Sequence, residues 1–170
     1  VNEALSVQGD LTVLAGGNVT HLELDDGFDL DVSGTVDVRL GASMRVDGAG
    51  FRPGPIAGFG DNGATYSPVT LQVVSGSTPQ CGGSHGGRGA GGGAALAFDD
   101  ADLPDLFGGG GGEGTCNSLG GQGGGRISIR AAAMIVNGFV TANGNGAAAG
   151  GGGAAGGGGA GGSIRIDVPT

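Results

Sequence analysis

GAAAGGGGAAGGGGAGG, residues 146–162, contains only glycine and alanine. Two earlier stretches share its character, GGSHGGRGAGGGAA at 82–95 and GGGGGEGTCNSLGGQGGG at 108–125. The reading of these three blocks decides the fold. Glycine-rich sequence ordinarily marks a flexible linker. Here, however, the blocks hold almost none of the Lys, Glu, Pro and Gln that keep disordered chains solvated. Each block also runs into an apolar strand or loop. The last is fenced by two strands of one pattern, RISIR at 126–130 and SIRID at 163–167.

The ordered alternative is a bundle of polyproline-II-type strands, with about three residues per turn and a rise of about 3.1 Å per residue. Without a Cβ, such strands can lie side by side and exchange backbone N–H···O=C bonds. Glycine loses more backbone freedom on ordering than any other residue, so a β scaffold must hold the ends. Collagen is excluded, because no Gly-X-Y period runs through the chain and it has only 6 prolines.

Outward from the blocks, residues 1–50 read as short strands. Leu5 and Val7 alternate, then Leu11 and Val13. Phe28, Leu30 and Val32 follow, then Val36, Val38 and Leu40, then Met44 and Val46. Such period-two runs broken by small-residue turns mark an all-β chain with almost no helix. Their shortness suits a β-solenoid-like stack of coils, with a β-sandwich as the alternative. Residues 51–80, with Pro53, Pro55, Pro68 and Pro79, read as a loop region. Residues 81–170 read as the glycine-rich bundle with interleaved strands, continuous with the rest. An internal echo supports a repetitive build: Val36–Arg39, Met44 and Val46-Asp-Gly48 match Ile127–Arg130, Met134 and Val136-Asn-Gly138, and Ile164-Arg-Ile166 is a partial third copy.

At 170 residues the chain is about one domain. Aromatics make up 4 %, too few for a thick conventional core. All 7 basic residues are arginine, and the net charge of −9 argues against nucleic-acid binding and against docking on an anionic membrane. No apolar run has membrane-spanning character, so no direct membrane insertion is expected. The chain opens within an apparent strand, Val1 to Val7, and ends just after another, which suggests a processed subunit or a fragment. Cys81 stands just before the first block and Cys116 inside the second, and a disulfide between them would contribute about 3 kcal/mol. Two unrelated buried thiols are the alternative.

No catalytic or cofactor motif is present. Asp25, Asp26, Asp29 and Asp31 cluster in ELDDGFDLD, and Asp99, Asp100, Asp102 and Asp105 in FDDADLPD. Calcium needs about six to eight oxygen ligands. Neither run matches a known calcium loop, so both read as solvated acidic faces, with calcium as the alternative. His85 and Arg88 are expected to bond glycine carbonyls and lock register. Arg126, Arg130 and Arg165 are expected to form an outer row paired with Asp37, Asp167 or carbonyls. Asn18-Val-Thr20 fits the N-glycosylation acceptor pattern, in a turn after Gly16-Gly17.

Val46-Asp-Gly-Ala-Gly50, GGSHGGRG at 82–89, GGGRISI at 123–129 and VNGFVTANG at 136–144 follow one another along the chain. Over residues 30–168 the chain resembles the glycine-rich, β-solenoid-type repeats of very large secreted or surface proteins of bacteria. A looser similarity is to phage tail-fibre tip adhesins, whose glycine-rich strands form a polyglycine-II sandwich and whose loops bind receptors. The resemblance implies an extracellular structural or adhesive role and no known reaction. The leading expectation is therefore a non-enzymatic subunit or repeat of a cell-surface fibre, self-associating head to tail through strand edges. The alternative is an adhesin that grips a glycan or receptor with loops 51–80 and 96–107, Asp99, Asp100, Asp102 and Asp105 forming the tip.

Overall fold

Residues 5–23, 27–100, 102–116, 118–148 and 153–169 are described by a computed structural model of the chain. The strands among them are β1 (Leu5–Val7), β2 (Leu11–Val13), β3 (Asn18–Val19), β4 (Phe28–Val38), β5 (Ser43–Arg45), β6 (Ala64–Tyr66), β7 (Val73–Ser75), β8 (Arg126–Val136), β9 (Phe139–Thr141) and β10 (Ser163–Asp167). The described residues contain no helix, as an all-β chain requires. In the larger sheet β1 and β2 lie end to end along β4, followed by β8 and β10, and every pairing is parallel. A second parallel sheet runs β3-β5-β9. A small antiparallel hairpin joins β6 to β7.

The two parallel sheets are built layer by layer. The layers β1–β2, β4 and β8 are each followed by a turn and a short strand, β3, β5 and β9, while β10 has no such strand among the described residues. Turn glycines stack as well, with the Gly16 N–H donating to the Gly41 carbonyl at 2.8 Å. Both take positive φ, 82° and 80°, where a side chain would be strained. The expected run of coils is not continuous, because the chain leaves the stack after Arg45 and rejoins it at Arg126. Parallel pairing also departs from the β-sandwich alternative, whose sheets are antiparallel.

Alternation places one face of each strand inside. Leu30, Val32, Val36, Val38, Met44 and Val46 meet Ile127, Ile129 and Ala131 in one buried cluster. Phe28–Val32 and Val36–Val38, read above as separate runs, belong to one strand with a register shift between Val32 and Thr35. The shift faces the break between β1 and β2. There the Gly34 N–H donates to the Gly9 carbonyl, and the Thr35 N–H donates to Asp10 Oδ1 at 2.7 Å. Leu40, expected to continue the inward row, is exposed beyond the end of β4. The internal echo also pairs differently in space. Phe28 lies opposite Ile127 and Val36 opposite Met134, while Met44 lies opposite Val140.

The glycine blocks fill the two excursions from the stack, and their hydrogen bonds return every third residue. Gly108 and Gly111 donate to the carbonyls of Gly124 and Gly121. Gly109 and Gly112 donate to Ser84 and Cys81, and Gly110 and Glu113 to Ala64 and Asp61. In return, the carbonyls of Gly108 and Gly111 accept from Phe51 and Gly54, and those of Gly109 and Gly112 from Ala160 and Gly157. Segment 108–112 is thus surrounded by chain from all three glycine blocks and from residues 51–64. Segment 51–80, expected as a loop region, contributes two of these neighbours and the β6–β7 hairpin. A Cβ on Gly110 or Gly111 would fall on the carbonyl of Arg52 or Gly157, which explains the need for glycine here.

Candidate functional site

The acidic loop after the first glycine block is held from within. Asp99 takes a positive φ of 71°, a conformation that Asp tolerates better than most residues. Its Oδ1 accepts the Asp100 N–H, and its Oδ2 accepts the N–H groups of Asp105 and Leu106, each at 2.9 Å. The same oxygen lies 2.8 Å from His85 Nε2 and 3.3 Å from the Ser163 hydroxyl. Burial alone would raise the Asp99 carboxyl. The hydrogen bonds from Asp100, Asp105, His85 and Leu106 outweigh it and hold the group below the usual carboxylate value.

Asp99, His85 and Ser163 bring an acid, an imidazole and a hydroxyl together. A nucleophilic relay needs the acid on one imidazole nitrogen and the hydroxyl on the other. Here both approach Nε2, and the Ser163 hydroxyl donates to the Leu106 carbonyl at 2.6 Å. Ser163 is 1 % exposed. The cluster ties the first glycine block, the acidic loop and β10 to one another.

Asp105 is engaged too. Arg126 places Nε 2.7 Å from Asp105 Oδ1 and grips Asp29 with both terminal nitrogens, at 2.9 and 3.0 Å. Burial would lower the guanidinium, but hydrogen bonds to Asp29 and Asp105 raise it above its ordinary value. The Arg126 backbone N–H donates to His21 Nε2, a partner with no sequence signature. Of the four loop aspartates, then, Asp99 and Asp105 fasten the loop, while Asp100 and Asp102 are exposed. Asp100 Oδ1 in turn accepts the Asp102 N–H at 2.9 Å, so the loop's own backbone and Arg126 engage three of the four carboxylates expected to form a binding tip.

The calcium alternative divides as well. Asp25 and Asp26 lie outside the described residues. Asp29 is committed to Arg126, and Asp31 lies opposite Arg130 across the β4–β8 pair. Among the described residues no group of three or more His, Cys, Asp or Glu is placed to hold a metal ion. Arg88 donates to the Ala94 carbonyl at 3.1 and 3.0 Å, whereas His85 meets a carboxylate rather than a glycine carbonyl. Of the arginine row, Arg130 lies 3.7 Å from Asp167, while Asp37 pairs with its own neighbour Arg39.

The expected disulfide is not formed. Cys81 is a buried free thiol packed against Gly91, and Cys116 is an exposed one beside Gly153, so the two sulfurs face different segments. Asn18 is the first residue of β3 rather than a turn residue. It is exposed, and its Oδ1 accepts the Ser43 hydroxyl at 2.8 Å.

A pocket of 340 Å³ opens beside the bundle, lined by Phe51, Arg52, Ile56, Tyr66, Val73 and Phe107 among others. The Tyr66 ring meets Phe51 edge-on at 4.6 Å, and Phe107 meets Phe51 at 6.2 Å. Arg52 stands at this site with its Nε donating to Glu23 Oε1. No local pattern in the sequence announces this convergence, because it depends on the β6–β7 hairpin. The other candidate surface is the last layer of the stack. Val38 is fully buried, yet its partner Val136 is 47 % exposed, because no strand among the described residues covers that half of β8.

No family model, no curated protein and no solved structure matches this chain.

Proposed function

We propose that this chain is a non-enzymatic extracellular structural module, a subunit or repeat of a surface fibre that grows by adding layers to the ends of its parallel stack. The observation that carries the reading is Val136, an inward-facing residue equivalent to the buried Val38 but left uncovered. An unpaired strand edge beside uncovered apolar side chains is a template for another strand. At the opposite end β1, β2 and β3 likewise pair on one edge only among the described residues. Contacts between unlike ends that do not close into a ring build filaments. The three-residue return of hydrogen bonds along 108–113 supports a polyproline-II-type bundle, and the layered parallel strands support a β-solenoid-like scaffold. Negative-stain electron microscopy of the purified protein tests the reading. Filaments of uniform width are expected, and isolated particles at every concentration would refute self-assembly.

A second reading, an adhesin, is favoured by the aromatic pocket in segment 51–80. Concave apolar pockets with few polar groups are the usual sites of small-ligand recognition. Glycan-array binding that disappears in Tyr66→Ala would support it. Binding that survives this change but is lost in the Asp100→Asn, Asp102→Asn double variant would move the site to the acidic loop.

A further inference from the structure

β10 ends the larger sheet, and its outer edge has no strand partner among the described residues. A groove of 470 Å³ runs along it, walled on one side by Asp102, Leu103 and Pro104. The strand presents two rows of side chains. On the inward row Ile164 and Ile166 stack over Ile127 and Ile129 and remain 36 % and 46 % exposed. On the outward row Asp167 continues a column of alternating charge, Asp31, Arg130, Asp167. Beside it Arg165 ends the column Asp29, Ser128, Arg165, and its side chain has no hydrogen bond or ion pair with any described residue.

We propose that this edge takes an extended polypeptide strand, parallel to β10, with apolar residues over Ile164 and Ile166, an acid opposite Arg165 and a base opposite Asp167. Every pairing already in the sheet is parallel, and the proposed strand continues that order. Edge addition draws affinity from main-chain hydrogen bonds and specificity from alternate side chains. The charge columns supply that specificity, because cross-strand neighbours of opposite sign stabilise a pair and like charges weaken it. The chain's own outer strands, Leu5-Ser6-Val7 and Leu11-Thr12-Val13, offer the apolar alternation without the charges, so a second copy satisfies only half of the requirement. The inference rests on the reading that the stack is extended at its open edges, and it names the chemistry of the preferred neighbour.

The test is fluorescence anisotropy with two labelled peptides, Ser-Ile-Glu-Ile-Arg and its charge-exchanged form Ser-Ile-Lys-Ile-Glu. The first is expected to bind about three- to tenfold more tightly. Arg165→Glu should weaken it and strengthen the second, a gain that also shows the strand still in place. Equal binding of both peptides, a preference unmoved by Arg165→Glu, or no binding by either would overturn the proposal. Electron microscopy of the same preparation separates the two readings. Filaments without peptide preference would leave the fibre standing and remove this inference, whereas neither filaments nor binding would remove both.

Discussion

The Asp99 carboxylate stands 2.8 Å from Nε2 of His85, and through this contact an acidic loop that reads as a free tip becomes part of the framework. Both side chains are almost fully enclosed, and the same carboxylate oxygen accepts two backbone N–H groups. Removing the carboxylate would leave two backbone N–H groups and the His85 nitrogen without their partner. Asp99→Ala should therefore lower stability by about 3 kcal/mol in chemical denaturation. The exposed pair Asp100 and Asp102, replaced together by Asn, should change it by no more than about 0.5 kcal/mol. Equal effects would show that the loop is not fastened through Asp99.

Acid should loosen the same region. Asp99 is held below the ordinary value of 3.8, as is Asp47. For Asp47, burial would raise the group, but the Asn143 N–H and Arg45 lower it. A carboxylate with a lowered folded-state value adds stability that is fully present above 3.8 and is lost as pH falls through the lowered value. Thermal melts from about pH 5 to about pH 2 should show this decline, shallower in Asp99→Asn. A parallel decline in wild type and variant would remove Asp99 from the account.

Glycine is not equally necessary along the blocks. In Gly111→Ala the new methyl group would land on the Gly157 carbonyl, while the Gly111 N–H is bonded to Gly121. The expected cost is at least about 3 kcal/mol. Gly86 has nothing within 4 Å of a Cβ and lies outside the left-handed region. Gly86→Ala should be neutral or stabilising by up to about 1 kcal/mol, because alanine restricts the unfolded chain. Denaturant midpoints compare the two, and tolerance of alanine at Gly111 would mean that the bundle is not closely packed.

The two thiols should differ in reactivity. Cys116 is exposed and Cys81 buried, so a maleimide should label Cys116 in the native protein and Cys81 only on unfolding. Peptide mapping reads the order directly.

At the open end of the stack, a charge on the inward row should block growth. Val136 is already 47 % exposed, so Val136→Lys should cost the single chain no more than about 1 kcal/mol. It should also shift sedimentation toward the monomer, as inward-pointing lysines do at natural sheet edges. Unchanged assembly would place the contact elsewhere.

Much of the scaffold was legible in the residues. Leu30, Val32, Val36, Val38, Met44 and Val46 alternate in the chain and are buried in the fold. The partial copy Ile164-Arg-Ile166 does stack on Ile127-Ser-Ile129. Register was less legible. The echo aligns Val36 with Ile127, whereas Val36 pairs with Met134, because the turns and the extra residue near Gly34 set the offset.

The sequence by itself determined the kind of chain this is. Short period-two runs commit residues to strands with small apolar interiors. Blocks without Cβ atoms permit backbones to approach until carbonyl and N–H meet. Those properties belong to each residue and its near neighbours. The tertiary structure alone decided partners. It gave Arg126 to Asp29 and Asp105, Asp99 to His85, and the space around segment 108–112 to residues 51–64 as well as to the other glycine blocks. Charge pairing and close packing depend on distance through space, and in a stack of near-equivalent strands that distance follows from which layer lies on which.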